Sequence, residues 1–60
     1  MEHKIHYSVV WFDNNSGANI RHMLCSMEEC MAYITDVVMK KENASGVVKI
    51  EKVEEYSMYI

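Results

Sequence analysis

Alternating apolar and polar positions predict two strands at the start of the chain. Residues 5–12 read Ile-His-Tyr-Ser-Val-Val-Trp-Phe, a run of β-branched and aromatic side chains that is typical of a strand. Residues 13–17, Asp-Asn-Asn-Ser-Gly, have the composition of a turn in which Gly17 can adopt a positive φ. Residues 19–24 can then return as a second, more polar strand, so the segment predicts a β-hairpin.

A change to helical periodicity follows the hairpin. Apolar side chains spaced i, i+3, i+4 and i+7 form one stripe from Met27 to Lys41 or Glu42. This stripe comprises Met27, Cys30, Met31, Ile34, Val37 and Val38. Residues 43–46, Asn-Ala-Ser-Gly, are predicted to leave the helix, with Asn43 or Gly46 in the left-handed conformation.

The start of this helix has a defined signature. Ser26 and Glu29 have the spacing of a capping box. In that motif the hydroxyl accepts from the Glu29 backbone N–H, and the carboxylate accepts from the Ser26 backbone N–H. Cys25 and Cys30 occupy the two positions of a hydrophobic staple, which predicts a structural role for both thiols.

A third strand is predicted over residues 47–53. Val48 and Ile50 share a face, but Val53 falls out of register, so we expect a bulge near Glu51 and Lys52. Residues 56–60 alternate again and are compatible with a short fourth strand, a tail, or the end of one long bulged strand.

The order β-β-α-β predicts an α+β domain spanning residues 1–60. We expect a three- or four-stranded, mainly antiparallel sheet with one helix packed on one face. A right-handed crossover through the helix places the third strand beside the first, which then becomes the central strand. Such a sheet has two unpaired edges, and either can add a strand from another chain.

The first strand is apolar on both sides. Side chains alternate along a strand; Ile5, Tyr7, Val9 and Trp11 share one side, and His6, Ser8, Val10 and Phe12 share the other. One helix covers one side only, which predicts that the other contacts a protein partner or a second copy. The predicted contact residues are Tyr7, Val9, Trp11, Phe12, Tyr56 and Met58. Alternatively, Tyr56, Met58 and Tyr59 fold over the second face.

Composition and charge disfavour a nucleic-acid partner and a membrane-spanning segment. The net charge of −3 and the dispersed lysines disfavour binding to nucleic acid. The longest apolar run, residues 9–12, is far too short for a membrane span. The first six residues lack the apolar region of a signal peptide, so a cytoplasmic protein with reduced thiols is expected.

Two further chemistries compete with the interaction hypothesis. His22, Cys25 and Cys30 suggest a metal- or thiol-dependent protein, but their spacing matches no usual zinc pattern. Two acidic clusters suggest a surface that imitates nucleic acid, although Lys49 and Lys52 are interleaved with one of them. The clusters are Glu51, Glu54 and Glu55, and Glu28 and Glu29. No catalytic constellation is evident, so we expect neither an enzyme nor a bound cofactor or metal.

The sequence therefore predicts a non-enzymatic protein–protein interaction module, expected to be a homodimer. In architecture alone, a short acidic β-β-α-β protein resembles the small dimeric inhibitors that phages make against host nucleic-acid enzymes. That resemblance implies a small inhibitor or regulator, of phage or mobile-element type, that acts on another protein.

Overall fold

The computed structural model describes residues 2–58, which form a small α+β fold in the predicted order β-β-α-β. Its elements are strand β1 (Glu2–Asp13), strand β2 (Ala18–Leu24), helix α1 (Met27–Asp36), a short 3-10 helix (Val38–Lys40) and strand β3 (Ala44–Ser57). Residues 59 and 60 of the predicted terminal segment lie outside the described residues.

Strand β1 is the centre of a three-stranded sheet with the order β2-β1-β3. Both neighbours run antiparallel to β1, as predicted. The turn between β1 and β2 places Gly17 at φ 71°, and the Gly17 N–H donates to the Asp13 carbonyl at 2.8 Å. The strand order β2-β1-β3 confirms the prediction that the most apolar strand, β1, is the central one.

The two neighbours of β1 differ in length. Strand β2 pairs with β1 only from Tyr7 to Asp13, whereas β3 pairs with it from Glu2 to Asp13. Residues 2–6 and 53–57 consequently form a two-stranded arm that extends beyond β2. On this arm the rings of His3 and Tyr56 stack with their centroids 4.3 Å apart.

Strand β3 is one continuous strand rather than a strand followed by a fourth strand or tail. The prediction of a bulge near Glu51 and Lys52 is wrong, because these residues pair in regular register with Ser8 and Tyr7. The irregularity lies opposite Trp11, where residues 46–48 of β3 face a single residue of β1. Gly46, with φ 75°, lies in this irregular segment rather than at the helix exit.

The helix begins as predicted. Ser26 is the N-cap, and its hydroxyl accepts from the Glu29 backbone N–H at 3.1 Å. The Glu29 carboxylate accepts from the Cys25 N–H at 2.9 Å, not from the Ser26 N–H as predicted. Cys25 is exposed while Cys30 is buried, so only Cys30 lies in the apolar interior.

The helix ends earlier than its apolar stripe suggested. Helix α1 stops at Asp36, and the chain continues as the 3-10 helix Val38–Lys40 instead of reaching Lys41 or Glu42. A 3-10 segment has three residues per turn and therefore changes the direction of the side chains that follow. Val38 is buried after this change, whereas Met39 is exposed.

The core lies between α1 and one face of the sheet. Its buried residues are Val9, Trp11, Cys30 and Val38. Partly buried side chains surround them: Tyr7, Ile20, Leu24, Tyr33, Ile34, Ala44, Val48 and Ile50. Met27 and Met31 of the predicted stripe are exposed, since the helix turns Cys30, Tyr33 and Ile34 toward the sheet instead.

Candidate interaction surface

The sheet face opposite α1, called here the open face, is the candidate functional surface. Strand pairing places the following side chains on it: His6, Ser8, Val10 and Phe12 of β1, Asn19, Arg21 and Met23 of β2, and Ser45, Lys49, Glu51 and Val53 of β3. Within residues 2–58 no helix covers this face, since α1 packs against β1 and β2 from the other side. The open face therefore mixes apolar and charged groups.

An ion pair crosses the middle of the open face. Arg21 lies opposite Val10 on β2, and Glu51 lies opposite Ser8 on β3, so the two residues flank β1. Arg21 Nη2 is 2.9 Å from Glu51 Oε1, an ion-pair distance, although the angle is not that of a hydrogen bond. Ser8 and Val10 are buried between these longer side chains. The centre of the open face is therefore covered by the chain's own polar side chains.

The strongest predicted anchors lie on the other side of the sheet. Trp11 is only 5% exposed and Val9 is fully buried, because α1 covers the face to which they point. Neither residue is available to a partner in this fold, which corrects the expectation that they line the contact surface. Tyr7, on the same face, is half-buried against the core.

The other predicted contact residues are accessible. Phe12 is 36% exposed on the open face, and Tyr56 and Met58 are also exposed. Tyr56 lies opposite His3 and stacks on it on the side of the sheet that carries α1. Tyr56 therefore does not fold over the second face, where the alternative hypothesis placed it. Tyr59, which that hypothesis also invoked, lies outside the described residues.

Sequence reasoning missed one prominent apolar residue of the open face. Met23 is 60% exposed and lies opposite Ser8, near one end of the Arg21–Glu51 pair. The alternation of β2 contained the signal, because Arg21 and Met23 are two residues apart and so share a face. Phe12 and Met23 thus flank the charged centre of the open face.

The two cysteines have different environments. Burial, and secondarily the negative charge of Glu29, raises the pKa of the Cys30 thiol. A raised pKa disfavours the thiolate, which is the nucleophilic form. The ring of His22 stacks on Tyr33 with centroids 4.3 Å apart, so it contacts the helix. Among residues 2–58, no group of three or more metal-ligating side chains comes together.

The acidic side chains of β3 are largely paired within the molecule. Glu54 Oε1 lies 3.1 Å from Lys52 Nζ, and Glu54 Oε2 accepts from the Tyr56 hydroxyl at 3.1 Å. The bond from Lys52, followed by that from Tyr56, holds the pKa of Glu54 below its ordinary value. Glu51 is paired with Arg21. Of the five carboxylates in the hypothesis of nucleic-acid mimicry, Glu51 and Glu54 therefore already have cationic neighbours.

The described part of the chain, residues 2–58, presents no pocket. Within the same residues, no helix is long and apolar enough to cross a membrane. Its exposed features are instead side chains on the sheet faces and the unpaired outer edges of β2 and β3.

No protein-family model, curated protein or solved structure matches the chain. The fold class rests on the strand order and on the helix described above. Function must accordingly be argued from the residues of the open face and of the sheet edges.

Proposed function

We propose that the chain is a non-enzymatic protein–protein interaction module that works as a homodimer and binds a further protein through its sheet. The observation that carries this proposal is the exposure of Phe12 and Met23 on a sheet face that α1 leaves uncovered. Aromatic and methionine side chains are enriched where proteins bind one another. The cytoplasm is the proposed location, since its reducing conditions keep exposed Cys25 as a free thiol.

The size of the chain supports association. A domain of 60 residues buries only about 60% of the surface of its unfolded chain, so its own core gives it marginal stability. Here the core cluster has only four buried residues, and it lies on the side of the sheet that α1 covers. Pairing with another chain is one of the usual ways in which so small a fold gains stability.

The charge pattern supports a selective protein contact. The Arg21–Glu51 pair lies between Phe12 and Met23, so a partner must offer complementary polar groups between two apolar contacts. Charged groups placed in this way contribute mainly to specificity and to the rate of association. This combination supports a small inhibitor or regulator that acts by occupying a surface of another protein.

The rival hypotheses receive less support from the described side chains. The buried, protonated thiol of Cys30 is unsuited to nucleophilic or metal-binding chemistry with His22 and Cys25. The cationic partners of Glu51 and Glu54 reduce the negative field that a surface imitating nucleic acid needs.

Binding measurements with surface variants test the proposal. The wild-type protein is used to capture a partner from its native host, and the captured protein is then purified and titrated directly. Phe12→Asp and Met23→Asp should each weaken the measured affinity at least about 10-fold, since each places a charge in an apolar contact.

Met39→Asp is the matched control, because Met39 is also an exposed apolar residue but lies on the 3-10 helix, away from the open face. This variant should retain wild-type affinity. Equal loss in all three variants, or no loss in any, would contradict binding through the open face. Sedimentation of the wild-type protein tests the homodimer, and a monomer throughout a dilution series up to about 1 mM would remove it.

A further inference from the structure

Strand β3 has an unpaired outer edge along its whole length. It is the last strand in the order β2-β1-β3, and it runs without interruption from Ala44 to Ser57. A long edge strand with free backbone N–H and C=O groups is a template for pairing with another chain. The side chains of β3 themselves indicate which strand can pair with this edge.

We infer that the occupant of this edge is β3 of a second copy, paired antiparallel about a two-fold axis at Ile50. The inference rests on the self-association proposed above and specifies the strand and the register that produce it. Ile50 lies at the middle of β3, so this register places nearly the full length of both strands side by side, with the irregular residues 46–48 of each strand opposite residues 52–54 of the other. The contact is isologous, as most homodimer contacts are.

Charge complementarity selects this register. With Ile50 opposite Ile50 of the second copy, Lys49 lies opposite Glu51 of that copy, and Glu51 lies opposite its Lys49. Directly opposed side chains of an antiparallel pair interact, and opposite charges there are stabilising. In the same register Lys52 faces Val48, and Glu55 faces Ser45 of the second copy. No two like charges are opposed.

Neighbouring registers either oppose like charges or contain no pair of opposite charges within β3. Centring the pair on Lys49, Glu51, Lys52 or Glu54 opposes that charged residue with its own copy. Centring it on Val53 opposes Lys52 with Glu54, but it also places Glu51 opposite Glu55. Centring it on Val48 gives no pair of opposite charges and shortens the overlap. Like charges directly opposite one another destabilise a sheet, so the register at Ile50 is the favoured one.

The charged row of the open face becomes continuous in this dimer. Glu51 then lies between Arg21 of its own chain, 2.9 Å away, and Lys49 of the second copy. Within the described residues Lys49 makes no ion pair of its own, which leaves its ammonium group available. The two-fold axis is perpendicular to the sheet, so both helices lie on one face of a six-stranded sheet, and both open faces lie on the other.

Charge reversal tests the register. Lys49→Glu opposes two pairs of glutamates across the axis, and Glu51→Lys opposes two pairs of lysines. Each single variant should raise the dimer dissociation constant at least about 10-fold, as measured by sedimentation equilibrium at low salt. Lys40→Glu is the control for Lys49→Glu, because it makes the same change in net charge at an exposed position outside the sheet.

Two combinations of these variants should restore the opposite-charge pairs, and they make the test specific to antiparallel pairing. The double variant Lys49→Glu/Glu51→Lys recreates both opposite-charge pairs and should dimerise with wild-type affinity. A mixture of the two single variants should form a heterodimer, since each glutamate then meets a lysine. Circular dichroism verifies that each variant is folded. If Glu51→Lys fails to fold because a lysine then lies beside Arg21, Lys49→Glu and its control Lys40→Glu still decide, since both keep the Arg21–Glu51 pair.

The outcomes separate this inference from the proposed function. A wild-type dimer that is insensitive to both reversals overturns β3 pairing but leaves self-association in place. Reversals that weaken the dimer with no recovery in the double variant also overturn the register. A monomeric wild-type protein overturns the inference together with the proposed homodimer. Weakening by each reversal and recovery in both restorations establish the β3 interface.

Discussion

Arg21 and Glu51 lie on the two outer strands of the sheet, yet their side chains meet over the central strand at 2.9 Å. Their pairing partners on β1 are Val10 and Ser8, so the ion pair runs diagonally above these two residues. Both charged side chains remain about half exposed, and such pairs contribute at most about 1 kcal/mol to stability.

Because of this ion pair, the centre of the open face is polar rather than apolar. Val10 is only 7% exposed even though no helix covers it, because longer polar neighbours surround it. The exposed apolar side chains Phe12 and Met23 therefore lie on either side of the ion pair rather than at the centre of the face. A partner meets two separated apolar contacts and a charged centre rather than a continuous hydrophobic surface.

Removal of the helix cap should destabilise the fold. Ser26→Ala deletes the acceptor for the Glu29 N–H, and loss of such a cap costs about 1 kcal/mol. For a domain of this size the melting temperature should fall by about 4–8 °C. Ser57→Ala is the control, because Ser57 is exposed at the end of β3. A thermal melt in which both variants match the wild type would show that the cap contributes nothing.

A pair of valine substitutions tests the placement of the core. Val38 is 2% exposed and Val47 is 78% exposed, although both follow the helix in sequence. Val38→Ala should lower the free energy of unfolding by about 2 kcal/mol, because it removes buried methyl groups and leaves a cavity. Val47→Ala should change it by less than about 0.5 kcal/mol. Urea denaturation measures both, and similar losses would refute the 3-10 geometry that turns Val38 inward.

Asp13 should make stability depend on acidic pH. Its carboxylate accepts from the Asn43 side chain at 2.7 Å and from the Asn15 N–H at 3.0 Å. These bonds, with that from Asn43 the largest contribution, hold the pKa of Asp13 below its ordinary value of 3.8. A lowered folded-state pKa gives stability that is present above the unfolded value and is lost as the pH falls through the folded value.

The measurement is the free energy of unfolding between about pH 5 and pH 2. Asp13→Asn should give a flatter curve than the wild type over this interval, since the variant has no carboxylate to protonate. Some slope should remain because Glu54, whose pKa is also lowered, titrates in the same range. A variant curve as steep as that of the wild type would show that the Asp13 bonds do not persist in solution.

The two thiols should react at different rates. Cys25 is exposed, whereas Cys30 is buried with a raised pKa, so both access and thiolate content protect Cys30. Treatment of the native protein with iodoacetamide at about pH 8, followed by peptide mass spectrometry, should show carbamidomethylation at Cys25 first. Both should react when the protein is unfolded in urea. Rapid native labelling of Cys30 would contradict its place in the core.

Local patterns in the sequence determined the elements themselves. The apolar run of residues 5–12 gave the central strand, the Asp-Asn-Asn-Ser-Gly segment gave the turn, and Ser26 with Glu29 gave the start of the helix. Each of these features depends on interactions between residues close in the chain. Such interactions can be recognised without knowledge of the rest of the molecule.

The sequence did not determine which side of β1 is covered. Trp11 and Phe12 are adjacent, large and apolar, and alternation alone makes their two faces equivalent. The choice depends on where α1 lies after the crossover, and it buries Trp11 while leaving Phe12 accessible. Packing of the core, rather than the conformational preference of nearby residues, likewise accounts for two further features. These are the end of the helix at Asp36 and the irregular segment opposite Trp11.

For this protein, the sequence alone thus specified the strands, the turn and the capped helix, because short-range periodicity and hydrogen bonding encode them. The tertiary structure decided which apolar residues became core and which became surface, because burial is a property of the packed helix and sheet together. It also brought Arg21 and Glu51 across the central strand, a relationship between residues 30 positions apart that depends on strand order and register.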